Sequence, residues 1–263
     1  MKKIEKQELG LIKPLFKGIG DSMVIAYLQG KMGDGWVDRM PGPQAGLIVS
    51  GEYSFFAGDA ASPGAEAFAR DAFRYIGGDF TTAIFADGEP GWKDLLLSFP
   101  ENNPEAVPRY GIVQRDYDFD ESLLSRYVSE MPEGFLLKGF DKELYEEAMK
   151  DGWSREFCEG FSSADDFVSR GFGYAAINDG RLVSGASTMT VYDGGEETQV
   201  ATHPDFRKRG LARACSAALL LECQRRGVRA CWDAANQASL HLALSLGYEY
   251  RGEYTVVLMK RGG

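Results

Sequence analysis

The chain has 263 residues, 44% hydrophobic and 26% charged, a globular composition large enough for one large domain or two modest ones and unlike that of a disordered chain. Its net charge of −10 argues against general binding to nucleic acid or to an anionic membrane. That charge is uneven: residues from Glu196 onward sum to +3 and those before it to −13, which points to a local anionic ligand of nucleotide type.

The opening residues, MKKIEKQELGLIKPLF, do not read as a signal peptide, because Lys13, Pro14 and Lys17 break the apolar stretch. In the first half, GLIVSGEYSFFAG (46–58) reads as two strands about Gly51. Residues 63–76 carry helical spacing, stopped by Gly77-Gly78. Strands are expected over 80–86, 109–115 and 134–140, with Asp120 and Asp141 capping helices over 121–130 and 142–150. In the second half, 157–170 reads as a helix. Residues 171–178 and 181–191 form a hairpin about Asp179-Gly180, and Gly194-Gly195 turns the chain into a strand over 196–202. A helix over 210–226 ends at Gly227, followed by a strand over 228–234, a short helix over 238–246 and a closing strand over 248–260. The longest apolar run, Ala214–Leu221, is too short to span a bilayer. Cys158, Cys215, Cys223 and Cys231 lack the spacing of a metal site or a disulfide framework, so a reduced, cytoplasmic protein without a bound metal is expected.

This order predicts an α/β (α+β) fold. A mixed, mostly antiparallel sheet flanked by helices occupies the C-terminal half, residues 134–263, and a smaller mixed α/β domain, residues 1–133, precedes it.

Chemistry concentrates in ATHPDFRKRGLARA, 201–214. A strand leads into a turn holding Arg207, Lys208 and Arg209, and Gly210 opens a helix that carries Ala212 and Arg213 near its start. The first N–H groups of a helix have no partner within it, and the macrodipole adds positive potential there. Glycine permits close backbone approach and the flanking cations add attraction, so the turn reads as a cradle for a pyrophosphate.

Arg207-x-x-Gly210-x-Ala212 after a strand resembles the acyl-CoA-binding signature of the GNAT (GCN5-related N-acetyltransferase) superfamily. WDAANQASLHLALSLGY (232–248) is similar to that family's strand–Asn–helix–Leu-Gly-aromatic segment, through Asn236, Ser239, Leu246, Gly247 and Tyr248. The likeness covers about residues 155–260. The first half, through 37–60, is similar to a bacterial branch with an added N-terminal domain.

The resemblance implies an N-acetyltransferase using acetyl-CoA or another acyl-CoA, with direct attack by an amine in a ternary complex. It places pantetheine along the backbone of Val200 and Thr202. The pyrophosphate falls on the amides of Arg207, Lys208, Arg209, Gly210, Leu211, Ala212 and Arg213, and Asn236 lies beside the pantetheine arm. The thioester would lie at an opening between the strands ending at Thr202 and Asp233. The acceptor is a small-molecule or peptide amine.

At neutral pH an alkyl amine is mostly protonated, so a base or a water chain must take its proton before attack. Glu196 and Glu197 begin the strand leading to the cradle, and alternation puts at most one of them in the cleft. Glu196 shares parity with Val200 and Thr202 and is the favoured base; a solvated strand start is the plainer reading of both. Where many relatives carry a tyrosine acid, this chain has Ala243, leaving Tyr248, Tyr250 or water for that role. That departure sustains a second reading, a non-catalytic acyl-CoA-binding regulatory module. A basic helix start for 207–213 and a helix cap for Asn236 are the structural alternatives. A dinucleotide-binding fold is disfavoured, since the glycine spacing is not G-x-G-x-x-G and a hairpin precedes it. The N-terminal half is open to roles as acceptor pocket, cofactor cover or homodimer interface.

Overall fold

The computed structural model describes residues 1–73, 75–76, 80–85, 90–113 and 119–260. Its strands are β1 (Lys2–Lys3), β2 (Asp34–Val37), β3 (Ala45–Ser50), β4 (Tyr53–Gly58), β5 (Phe80–Phe85), β6 (Glu105–Val113), β7 (Leu136–Gly139), β8 (Gly173–Asn178), β9 (Arg181–Tyr192), β10 (Gly195–Thr202), β11 (Arg229–Cys231), β12 (Asp233–Ala234) and β13 (Glu249–Lys260). The α-helices are α1 (Leu9–Ile12), α2 (Ser22–Leu28), α3 (Ala65–Ala72), α4 (Pro90–Leu97), α5 (Glu121–Ser129), α6 (Lys142–Ala148), α7 (Ala164–Arg170), α8 (Leu211–Arg226) and α9 (Gln237–Ser245).

Two compact units divide the chain. One comprises Met1–Arg109 with Glu253–Gly263, the other Tyr110–Gly252. The break expected at 133/134 lies inside the second unit, between α5 and β7.

In the first unit the strand order β1-β2-β3-β4-β5-β13 is antiparallel except for β4 with β5. The β3–β4 hairpin turns at Gly51, whose φ of 55° suits glycine. Trp92 is fully buried among Phe56, Phe68 and Leu96, and its indole N–H donates to the Gly58 carbonyl at 2.8 Å. Helix α3 is shorter than the spacing over 63–76 predicts, and the Gly77-Gly78 stop lies outside the described residues, as do Ala86, Gln114 and Arg115 of two expected strands. Helices α2 and α4 were not legible as periodic segments. An Asp21 cap that accepts from Met23 N at 2.8 Å starts α2.

In the second unit the order is β11-β10-β9-β8-β7, antiparallel except for β10 with β11. The β8–β9 hairpin turns at Asp179 and Gly180, both at positive φ. This is the mixed, mostly antiparallel sheet with flanking helices that the sequence predicts. Helix α8 packs on the face carrying Ala176, Ala186 and Val200. Its buried side is rich in small residues (Ala214, Cys215, Ala217, Ala218), which let a helix approach a sheet closely. The opposite face receives Phe157, which is fully buried and whose carbonyl accepts from Ser187 Oγ at 2.6 Å.

Two expected elements differ. The helix over 157–170 is broken: a 3-10 turn at Arg155–Phe157 is followed by turns, and α7 starts only where Ser163 caps Asp166 N at 3.1 Å. The strand over 228–234 is split at Trp232, because β11 pairs with β10 while β12 pairs with β6.

Candidate active site

The split of that strand makes the site. Strand β10 pairs with β11 only through Gly195–Glu197, opposite Arg229–Cys231. From Thr198 to Thr202 it keeps β9 on one side, while β12 diverges to β6, so its other edge faces a cleft among the described pairings. Register with β9 shifts at Glu197/Thr198, where Met189 is skipped. A bulge of this kind increases local twist and turns the strand end away from its former neighbour.

Beyond Thr202 the chain turns through Pro204–Phe206 into α8. Arg207 Nε donates to the Thr202 carbonyl at 3.2 Å, and Arg209 Nη2 to the Asp205 carbonyl at 3.0 Å, with its guanidinium over Phe206. Lys208 and Gly210 have φ of 61° and 83°. At Gly210 a Cβ would meet only the Arg213 guanidinium, at 4.0 Å, but the left-handed conformation is one that L side chains resist. No side chain caps α8 at Gly210, in contrast to α5, α6, α7 and α9. The guanidinium of Arg213 lies over the Tyr127 ring, 4.5 Å from its centroid, and 3.4 Å from Glu130 Oε2. Backbone donors and cations therefore converge at one end of the cleft.

The cleft encloses about 1080 Å3. Val200, Thr202, the whole run Arg207–Arg213 and Asn236 line it, so the structure brings together every residue that the sequence assigned to cofactor binding. Asn236 is also the N-cap of α9, accepting from Ser239 N at 3.0 Å, so its two readings coexist. Three further lining residues were not read from the sequence: Trp153, Glu156 and Gln199. Strand alternation could have exposed Gln199, which points away from the α8 face occupied by Val200. No local signal marks Glu156, which is 43 residues from Gln199.

Glu196 is not brought to the cleft. It does share parity with Thr198, whose Oγ1 donates to Glu196 Oε1 at 2.7 Å, but that face of β10 lies under α8. Its carboxyl is buried beside Cys223, and burial pushes its pKa from 4.5 up to about 8 against the lowering effect of the Thr198 and Cys223 donors. Glu197 is buried too, at 6% exposure, so neither residue is a solvated strand start and neither lines the cleft. Tyr248 is also buried. Its hydroxyl donates to the Ala230 carbonyl at 3.0 Å, and burial drives its pKa well up. Tyr250 is exposed and outside the cleft lining. Ala243 is buried on the inner side of α9, whereas His241, Leu242 and Ser245 of that helix face the cleft.

The profile of the GNAT acetyltransferase family matches residues 13–257. The chain belongs to this family. A GCN5-related N-acetyltransferase-like protein from Streptococcus suis has a crystal structure that superposes with a TM-score of 0.86 at 31% identity, covering 97% of this chain and 99% of that one. An uncharacterized N-acetyltransferase, YdfB, of Bacillus subtilis is 24% identical over 169 residues, 63% of this chain and 61% of the relative. The [ribosomal protein bS18]-alanine N-acetyltransferase of Escherichia coli is 32% identical over 78 residues, 28% of this chain and 53% of that enzyme. The chain thus spans less than two thirds of the length of these two curated relatives.

GNAT proteins typically use acetyl-CoA. The residues present fit such a group: an uncapped helix start, a left-handed glycine without a Cβ and four flanking cations suit a pyrophosphate, and the free edge of β10 offers backbone groups to amides.

Proposed function

We propose that this GNAT protein is an acyl-CoA-dependent N-acyltransferase that moves an acetyl group from acetyl-CoA to a primary amine by direct attack within a ternary complex. The observation that carries this reading is the continuity of the uncapped α8 start at Gly210 with the unpaired edge of β10, both opening on one cleft. In this reading the amides of Leu211, Ala212 and Arg213, with Arg207, Lys208 and Arg209 around them, hold the pyrophosphate. The β10 edge at Val200 and Thr202 holds the pantetheine amides, and Asn236 orders the facing wall. The protein supplies orientation and polar groups rather than a covalent intermediate. The acceptor is a small-molecule or peptide amine; the name of the E. coli relative specifies an alanine of a ribosomal protein for that enzyme. Four buried free cysteines suit a reducing, cytoplasmic setting.

Calorimetric titration of acetyl-CoA and desulfo-CoA tests this reading on wild type and on Gly210→Glu, which sets a carboxylate against the pyrophosphate. Wild type should bind both ligands, and the variant should bind at least about 100-fold more weakly. Absence of binding to folded wild type would sink the proposal.

One observation favours a second reading, an acyl-CoA-binding regulatory module. Among the described residues no tyrosine hydroxyl lines the cleft, since Tyr248 is buried and Ala243 faces inward. Binding without CoA release across a broad amine panel would select it.

A further inference from the structure

The cleft is electrically polarised. Arg207, Lys208, Arg209 and Arg213 stand at the α8 end, and Glu156 is the one carboxylate among the described lining residues. Strand β10 connects the two ends. Going back along it from the cradle, Thr202 and Val200 come first and then Gln199, whose Nε2 donates to Glu156 Oε2. An extended ligand anchored at α8 and laid along β10 therefore presents its far end to Gln199 and Glu156.

Glu156 is half-buried and firmly held. It sits in the 3-10 turn Arg155–Phe157, between Trp153 and the fully buried Phe157. Phe157 is anchored through its carbonyl by Ser187 Oγ, and its ring packs edge-on against Phe140 and Trp153, at 5.7 and 6.0 Å between centroids. Ser154 Oγ ties the start of the turn to the Ala148 carbonyl at 2.8 Å. Gln199 orients one oxygen of Glu156, and the neighbouring Trp153 ring offers an aromatic surface suited to a cation.

Resting on the acyltransferase reading, we propose that Glu156 is the catalytic carboxylate that receives the acceptor's ammonium proton, with Gln199 as its positioning residue, and that the acceptor is an amine that enters as a cation between Glu156 and Trp153. The amine gives one N–H proton to Glu156, and its freed lone pair forms the C–N bond at the acyl carbon. The C–S electron pair departs with sulfur, and the second N–H proton goes to the sulfur. The products are an amide and a thiol. The proton on Glu156 returns to solvent, so one proton is released per turnover. This assignment replaces Glu196, which the fold seals beneath α8.

The test uses two CoA thioethers and needs no knowledge of the natural amine. S-(2-aminoethyl)-CoA places an ammonium just beyond the sulfur, and S-propyl-CoA is its uncharged counterpart. Dissociation constants are measured for both on the full chain of wild type, Glu156→Gln and Glu156→Ala, with thermal melts as a check of folding. Wild type should favour the ammonium probe by about tenfold. Both variants should bind the two probes equally while keeping wild-type affinity for S-propyl-CoA. Equal binding of the probes by wild type, or a preference that survives in either folded variant, overturns the assignment. If wild type binds neither probe, the cradle itself is wrong, and the acyltransferase reading falls together with this inference.

Discussion

Replacing Glu196 by glutamine will flatten the protein's stability against pH. In the native chain this carboxyl is 1% exposed; Oε1 accepts from Thr198 Oγ1 and lies 3.7 Å from Cys223 Sγ, while Oε2 has no hydrogen-bond partner. Burial raises its pKa from 4.5 to about 8. Each tenfold change in proton affinity is worth about 1.4 kcal/mol, so the ceiling on the pH-dependent loss is about 5 kcal/mol, comparable with the whole stability of a small domain. The sign follows from which state holds the proton. Below pH 4.5 the group is protonated in both states and contributes no slope. Between 4.5 and 8 the unfolded chain releases a proton that the folded chain retains, so stability falls as pH rises. Above 8 both states are ionised and the loss is constant. Glutamine does not titrate; its buried amide adds a fixed offset of about 1–3 kcal/mol at most, the same at every pH. Urea unfolding of both proteins at pH 5, 7 and 9 should show the variant gaining on wild type by several kcal/mol from the lowest pH to the highest. Parallel stability profiles would refute the account of a neutral acid beneath α8.

Asn236→Ala removes the cap of α9 and should cost about 1 kcal/mol in thermal or urea unfolding, whereas Asn236→Asp, which still accepts from Ser239 N, should cost little. The pair with Arg170 holds the Asp166 carboxyl well below the usual carboxylate range, and Ser162 adds two donors, its N–H and its hydroxyl. Asp166→Asn should therefore destabilise by about 1–2 kcal/mol at pH 7. That difference is fully present above the unfolded value of 3.8 and should shrink as pH falls below it, as melts across pH 2 to 7 would reveal.

The elements that could be read from sequence are those whose cause is local. Asp120 and Asp141 cap α5 and α6 at 3.0 and 2.9 Å, Asp179-Gly180 closes its hairpin in left-handed conformations, and Gly227 ends α8 at a φ of 65°. Each depends on a side chain or a φ within three residues of the event. The helix expected over 157–170 failed for a related reason. Its apolar spacing continues through residues 158–162, but Phe157 and Phe161 are buried from separate turns, and Ser163 offers a cap that restarts the backbone. Periodicity registers which residues are buried without saying whether one helix buries them all.

The same distinction divides the candidate site. The turn from Arg207 to Arg213 was legible because its features lie in consecutive residues: a glycine, which adopts the left-handed conformation, an uncapped helix start and adjacent cations. Alternation along β10 correctly gave Glu196 the parity of Thr198 and Val200, but alternation cannot say which face of a strand a helix will cover. Packing decided that, because the small-residue side of α8 covers the even-numbered face and seals Glu196 beside Cys223. The odd-numbered Gln199 is left to meet Glu156, 43 residues away in the chain, across a cleft that exists because β12 leaves β10 for β6. The sequence by itself determined the turn that is proposed to hold an anion. Only the tertiary structure decided which carboxylate shares that cleft, because pairing between strands and the choice of a buried face are long-range contacts that no local pattern encodes.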